Sequence, residues 1–174
     1  MKKSQLLALS ILLFTAINTN AMTNQVTKIE VLGKTPSQIY DFMLNIDKEK
    51  YLAWHPEHRD FKIIKQTKDT VGSLFFFHEQ IDNLKVKYRW EVTKIDKNHK
   101  IVMKAQYFIP IYLVLTLDKT PKGTLVTHDL QIGYRQKITG LIDWFIRNLI
   151  FTKNKRHSQD RHAIEEFKNL EKIL

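Results

Sequence analysis

Between Leu84 and Thr93 the chain alternates without a break. Leu84, Val86, Tyr88, Trp90 and Val92 take one parity, and Lys85, Lys87, Arg89, Glu91 and Thr93 take the other. Successive side chains of a strand point to opposite faces, so the pattern describes a strand with one face in a core and one in water. Such strands belong to antiparallel sheets covered on one side only. The rest of the fold must therefore supply a single cover for a sheet.

The flanking chain repeats the signal. Gln25 to Leu32 reads as a strand rich in β-branched residues. Thr35 is then placed to cap a helix with Pro36 at its first position, followed by Ile39, Tyr40, Phe42, Met43 and Ile46 at helical spacing. A short helical piece from Asp47 to Trp54 leads into His55-Pro56-Glu57-His58, where proline favours a turning backbone. Further strands follow around Phe61, Ile63 and Ile64, over Ser73 to Ile81, and after a tight Asp82-Asn83 turn. Ile101, Met103, Ala105, Tyr107 and Ile109 continue the alternation up to Pro110, and Ile111 to Asp118 and Thr124 to Tyr134 complete a meander.

After Gly140 the period becomes helical and is expected to run to the C-terminus. The order predicts an α+β fold in which a curved antiparallel sheet of about seven strands wraps around a long C-terminal helix, with a cavity between them. Ile138 to Phe151, with Lys153 and Lys155 behind it, has the character of a weak membrane-surface contact, although packing on the sheet explains the same face.

Residues 1–21 read as a secretory signal: Met1-Lys2-Lys3, an apolar run from Leu6 to Ile17, and small residues up to Ala21. Residues 22–174 then form a single domain, periplasmic or secreted. Losing Lys2 and Lys3 lowers the formal charge from +10 to +8. An exported protein seldom meets nucleic acid, so no nucleic-acid partner is expected; anionic headgroups or an acidic ligand suit the basic balance, as does a plain solvated surface. With no cysteine, stability rests on the core and on any metal that His and carboxylate ligands hold.

Several polar residues fall on apolar faces. His162 and Glu166, four apart on the last helix, can meet at one point beside the stripe Ala163, Phe167, Leu170 and Leu174. Glu79 shares its parity with Phe75, Phe77 and Ile81, unless the strand is reversed and buries Leu74, Phe76 and His78. His128 shares its parity with Val126, Leu130 and Ile132, which suits a hydrogen-bonded core histidine or a cavity group. With His55 or His58 these residues offer two imidazoles and two carboxylates, a donor set that suits zinc.

Trp54-His55-Pro56-Glu57-His58, the strand acid Glu79, and His162-Ala163-Ile164-Glu165-Glu166-Phe167-Lys168-Asn169-Leu170 resemble, in the same order, motifs of the diacetylphloroglucinol hydrolase and phloretin hydrolase family. That family is similar in fold to the START-like (SRPBCC) helix-grip domains. The resemblance implies one zinc held by His58, Glu79, His162 and Glu166, with His55 the reserve for the first position. It also implies zinc-dependent hydrolysis of the carbon–carbon bond between an acyl group and a phenolic ring, in a cavity for a small apolar or aromatic ligand. The leaving ring carbon then needs a proton, for which His128, Tyr88 and Tyr51 are candidates, as donors or as anchors for phenolic hydroxyls. The chain is shorter than those hydrolases. The alternative is an exported, non-catalytic carrier of lipid or another hydrophobic ligand.

Overall fold

The computed structural model describes residues 22–133 and 152–174. The leader expected at 1–21 and the apolar segment Ile138–Phe151 lie outside the described residues. Seven strands form one antiparallel sheet: β1 (Met22–Leu32), β2 (His58–Lys65), β3 (Leu74–Ile81), β4 (Leu84–Asp96), β5 (Lys100–Ala105), β6 (Ile111–Lys119) and β7 (Gly123–Gly133). Their order is β1-β7-β6-β5-β4-β3-β2, so only the return of β7 to β1 joins strands distant in sequence. Two short helices, α1 (Pro36–Leu44) and α2 (Lys48–Trp54), connect the two edge strands, and α3 (Lys153–Ile173) supplies the cover.

Local chemistry starts both short helices as expected. Thr35 and Gln38 form a reciprocal capping box at α1, with Pro36 in the first turn. Asp47 accepts from the Lys50 N–H at 2.8 Å to cap α2. The alternation in β4 is realised: Trp90 and Val92 are buried while Lys85, Lys87 and Arg89 are exposed. The core joins Val92, Ile101, Leu115 and Val126 of the sheet to Ile39, Tyr51 and Trp54 of the short helices and Phe167 and Leu170 of α3.

One strand reading needs correction, and one is refined. Ile63 and Ile64 lie in β2 as expected but are 45% and 47% exposed, on an edge strand whose register shifts after His58 and again after Ile63. Tyr107 is likewise exposed, since β5 ends at Ala105 and the chain turns, Tyr107 N–H donating to the Ala105 carbonyl at 3.0 Å. The first shift in β2 has a use. In a regular strand His58 and Phe61, three apart, would face opposite ways; the bulge between His58 and Asp60 turns both inward, and both are buried.

A seam of polar contacts fixes α3 along β1. Gln25 Nε2 donates to the Arg156 carbonyl at 2.7 Å, Thr27 donates to Asp160, Lys168 Nζ reaches the Glu30 carbonyl at 2.7 Å, and Leu32 N–H donates to Glu171 at 2.9 Å. At the far end of this edge Gly123 pairs with Leu32, and a Cβ there would lie 2.1 Å from the Val31 carbonyl oxygen. Gly123→Ala is therefore expected to lower stability by at least about 2 kcal/mol, read as a reduced urea midpoint at unchanged slope. A midpoint equal to that of the parent protein would show that β1 and β7 do not approach this closely.

Candidate metal centre and cavity

Four of the side chains singled out from the sequence meet on the inner face of the sheet. His58, Glu79, His162 and Glu166 are all buried, and each offers one ligand atom within 4.8 Å of the others. Register explains the first pair: His58 opens β2 directly opposite Glu79 of β3. Helical spacing explains the second. His162 and Glu166 lie one turn apart on α3, beside the buried Ala163, Phe167 and Leu170.

The hydrogen bonds of the two histidines fix where their lone pairs point. His58 Nδ1 lies 2.6 Å from the Tyr51 carbonyl oxygen, which can only accept, so Nδ1 carries the proton. His58 Nε2 faces Glu166 Oε1 at 2.8 Å. His162 Nδ1 faces the Glu57 carboxylate at 2.8 Å, while its Nε2 is buried without a hydrogen-bond partner, 3.7 Å from Glu79 and 3.9 Å from Glu166. Two imidazole nitrogens and two carboxylates thus converge, and each nitrogen facing a carboxylate needs a proton or a metal cation between them.

Without a metal, protons take the place of that cation. Burial works against the charged form of His58, but the adjoining Glu166 carboxylate overcomes it and raises the imidazole pKa. Burial and the nearby Glu166 push the Glu79 carboxyl up. Burial would also raise Glu166, yet His162 and His58 hold it well below the usual range. A divalent ion would displace these protons and satisfy the orphaned His162 Nε2, so the residues present fit zinc in a nitrogen-and-oxygen site.

Around this cluster the remaining candidates take distinct places. Tyr51 and Tyr88 both donate to Glu79, Tyr51 at 2.6 Å and Tyr88 to the other oxygen. Burial and the carboxylate raise both phenol pKa values, so both stay protonated and their protons go to Glu79. Tyr51 also stacks on His58, with ring centres 3.8 Å apart and planes within 4°. His55 is buried as well, and its nitrogens have other partners: Nδ1 accepts from the Glu57 N–H at 3.2 Å, and Nε2 faces Glu165 at 3.3 Å. Its nitrogen comes within 4.8 Å of those of His58 and His162, but both sides of its ring are engaged.

A cavity of about 100 Å³ opens beside the cluster, walled by Phe77, Trp90, Leu113, Leu115, Leu130 and Phe167, among others. His128 faces it from β7, as its strand parity predicted, and burial lowers its pKa, leaving a neutral imidazole. Missing from the sequence reading were Glu57 as the partner of His162 and the Trp54 indole, whose Nε1 donates to the Glu166 carbonyl at 2.7 Å. Both residues stand in the His55-Pro56 neighbourhood that the sequence marked, so position in that motif was the only signal.

No protein-family model and no curated protein matches the sequence. Solved structures do match. Ara h 8.0201 superposes with a TM-score of 0.63 at 9% identity, over 87% of this chain and 97% of its own. A START superfamily protein from Mycobacterium smegmatis gives 0.53 at 16% identity, over 84% and 98% of the two chains. Major latex-like protein 151 from Panax ginseng gives 0.55 at 12% identity, over 82% and 97%. The fold is a START-like helix grip. At these identities the likeness is one of architecture, and the polar cluster has to be judged on its own geometry. Among the described residues no helix is long and apolar enough to cross a membrane.

Proposed function

We propose that the protein binds a small apolar or aromatic ligand in the cavity between sheet and α3, beside a zinc ion held by His58, Glu79, His162 and Glu166. The supporting observation is a largely apolar cavity whose lining includes Glu79, His162 and Glu166 of the cluster of two imidazoles and two carboxylates. At about 100 Å³ it is smaller than the roughly 150 Å³ cavity that accommodates benzene, so a one-ring ligand requires its walls to move outward. The leader read at residues 1–21 would place this binding in the periplasm or outside the cell.

The test is direct. Purified protein is expected to carry about one zinc per chain, and a one-ring aryl ketone is expected to alter the fluorescence of Trp54 and Trp90, which line the cavity. Protein that takes up neither zinc nor ketone would overturn the reading.

A second reading, hydrolysis of an acylated aromatic, is favoured by the unpartnered His162 Nε2 and by the fixed orientation of Glu79. When bound, zinc would supply Lewis acidity toward a ligand carbonyl and toward water. The chain itself would do the rest. Tyr51 and Tyr88 hold Glu79 in one rotamer, the apolar wall excludes bulk water, and His128 offers a neutral imidazole for proton exchange with a leaving group. Turnover of acylphenols that stops on chelation would select this reading. Retention of an apolar molecule indifferent to chelator would select the carrier.

A further inference from the structure

Glu57 has no place in either reading, yet it touches two of the three clustered histidines. We propose that Glu57 is the positioning residue of the metal centre: it sets the tautomer of His162 so that Nε2 presents a lone pair to Glu79 and Glu166. The proposal rests on the metal reading above.

The carboxylate is anchored before it meets His162. Glu57 Oε1 accepts from the Asp82 N–H at 3.2 Å, and the Glu57 carbonyl accepts from the Gln80 N–H at 2.8 Å. Arg161, next to His162 on α3, pairs with the Asp82 side chain. The β3–β4 turn therefore grips both Glu57 and the helix that carries His162, and Glu57 Oε2 is held 2.8 Å from His162 Nδ1.

A neutral imidazole carries one N–H, and the two tautomers differ little in free energy in water. In this cluster the wrong one is a real competitor. With its proton on Nε2, His162 would turn an N–H toward Glu79 and Glu166, 3.7 and 3.9 Å away, and present no lone pair to a cation. An ionised carboxylate can only accept, so Glu57 draws the proton to Nδ1 and leaves Nε2 bare. His58 reaches the same state through a backbone carbonyl, that of Tyr51. His55 takes the opposite tautomer because the Glu57 backbone N–H donates to its Nδ1 at 3.2 Å. One residue thus sets two neighbouring rings in opposite senses, making His162 a ligand and keeping His55 out.

The experiment compares the parent protein with Glu57→Ala and Glu57→Gln. Zinc affinity is read by competition with a chromophoric chelator, and the His162 tautomer is read in the metal-free proteins from imidazole nitrogen chemical shifts. Glu57→Ala is expected to bind zinc roughly tenfold to hundredfold more weakly, with Glu57→Gln in between, and to move the His162 proton toward Nε2. A merely structural role would lower the melting temperature without changing the tautomer. Equal zinc affinity and an unchanged tautomer in Glu57→Ala would overturn the role of Glu57 alone. A parent protein that takes up no zinc would overturn the metal reading and this proposal together. If Glu57→Ala does not fold, the isosteric Glu57→Gln carries the same comparison with a smaller loss.

Discussion

Glu166→Gln is expected to abolish zinc binding and to leave the metal-free protein less stable than its parent. Glu166 is the one acid in contact with both ligand histidines, at 2.8 Å from His58 and 3.9 Å from His162. Removing its charge takes one of two anions from the site, so the affinity loss should exceed the roughly tenfold-to-hundredfold typical of an outer partner. Without metal the same carboxylate favours a second proton on His58, so an imidazolium faces a carboxylate at 2.8 Å. A glutamine amide keeps a hydrogen bond to the ring but loses the charge attraction, so the metal-free variant should melt below the parent.

Thermal melts with and without zinc separate the two effects. Zinc at a hundred times its dissociation constant stabilises the parent by about 2.7 kcal/mol. A variant bound a hundredfold more weakly keeps only about 0.4 kcal/mol of that at the same concentration, nearly erasing the shift in melting temperature. A zinc-dependent shift in Glu166→Gln as large as in the parent would show that Glu166 is not a ligand. A metal-free variant as stable as the parent would show that the Glu166–His58 pair contributes nothing to the fold.

The difference between what was legible in the sequence and what was not follows from range. Period-two alternation in β4 and helical spacing in α3 depend on neighbours a few residues apart, so spacing alone assigns Trp90, Val92, Ala163, Phe167 and Leu170 to the core, where all five are buried. Parity likewise placed His128 on the inner face, whereas for Glu79 it left a reversed strand open; Glu79 is buried together with Phe75 and Ile81. Edge effects escaped parity. Ile63 and Ile64 mark a strand but not its place at the sheet edge or its two shifts in register, and the alternation through Tyr107 outruns the end of β5. The pairing of His58 with Glu79 across the strands, and of Glu57 with His162 across 105 residues of chain, depends on register and helix docking, to which no local pattern refers. The choice between His55 and His58 was open for the same reason: it turns on which backbone group meets which ring nitrogen.

Phe167→Ala should produce the largest loss of stability, about 3–5 kcal/mol, because this ring seats the helix in the sheet. Phe167 is 1% exposed and belongs to the central core. Its ring meets the edge of Trp54 at 5.8 Å and lies 6.2 Å from His128, joining α3 to α2 on one side and to β7 on the other. Such a loss is a large share of the stability of any domain of this size and should lower the melting temperature by roughly 10 °C or more. Zinc separates packing from coordination. His162 and Glu166 lie on the same helix but keep their side chains in the variant, so zinc should raise its melting temperature by about as much as it raises that of the parent. Because Phe167 also walls the cavity, its removal extends the free space, and a two-ring aryl ketone should bind the variant better than the parent. Phe167→Leu, which keeps most of the volume, should lose less than half as much stability and gain no affinity for the larger ketone. A loss below about 1 kcal/mol in Phe167→Ala would show that α3 is not seated through this residue, and the site that spans the helix and the sheet would then have no fixed geometry.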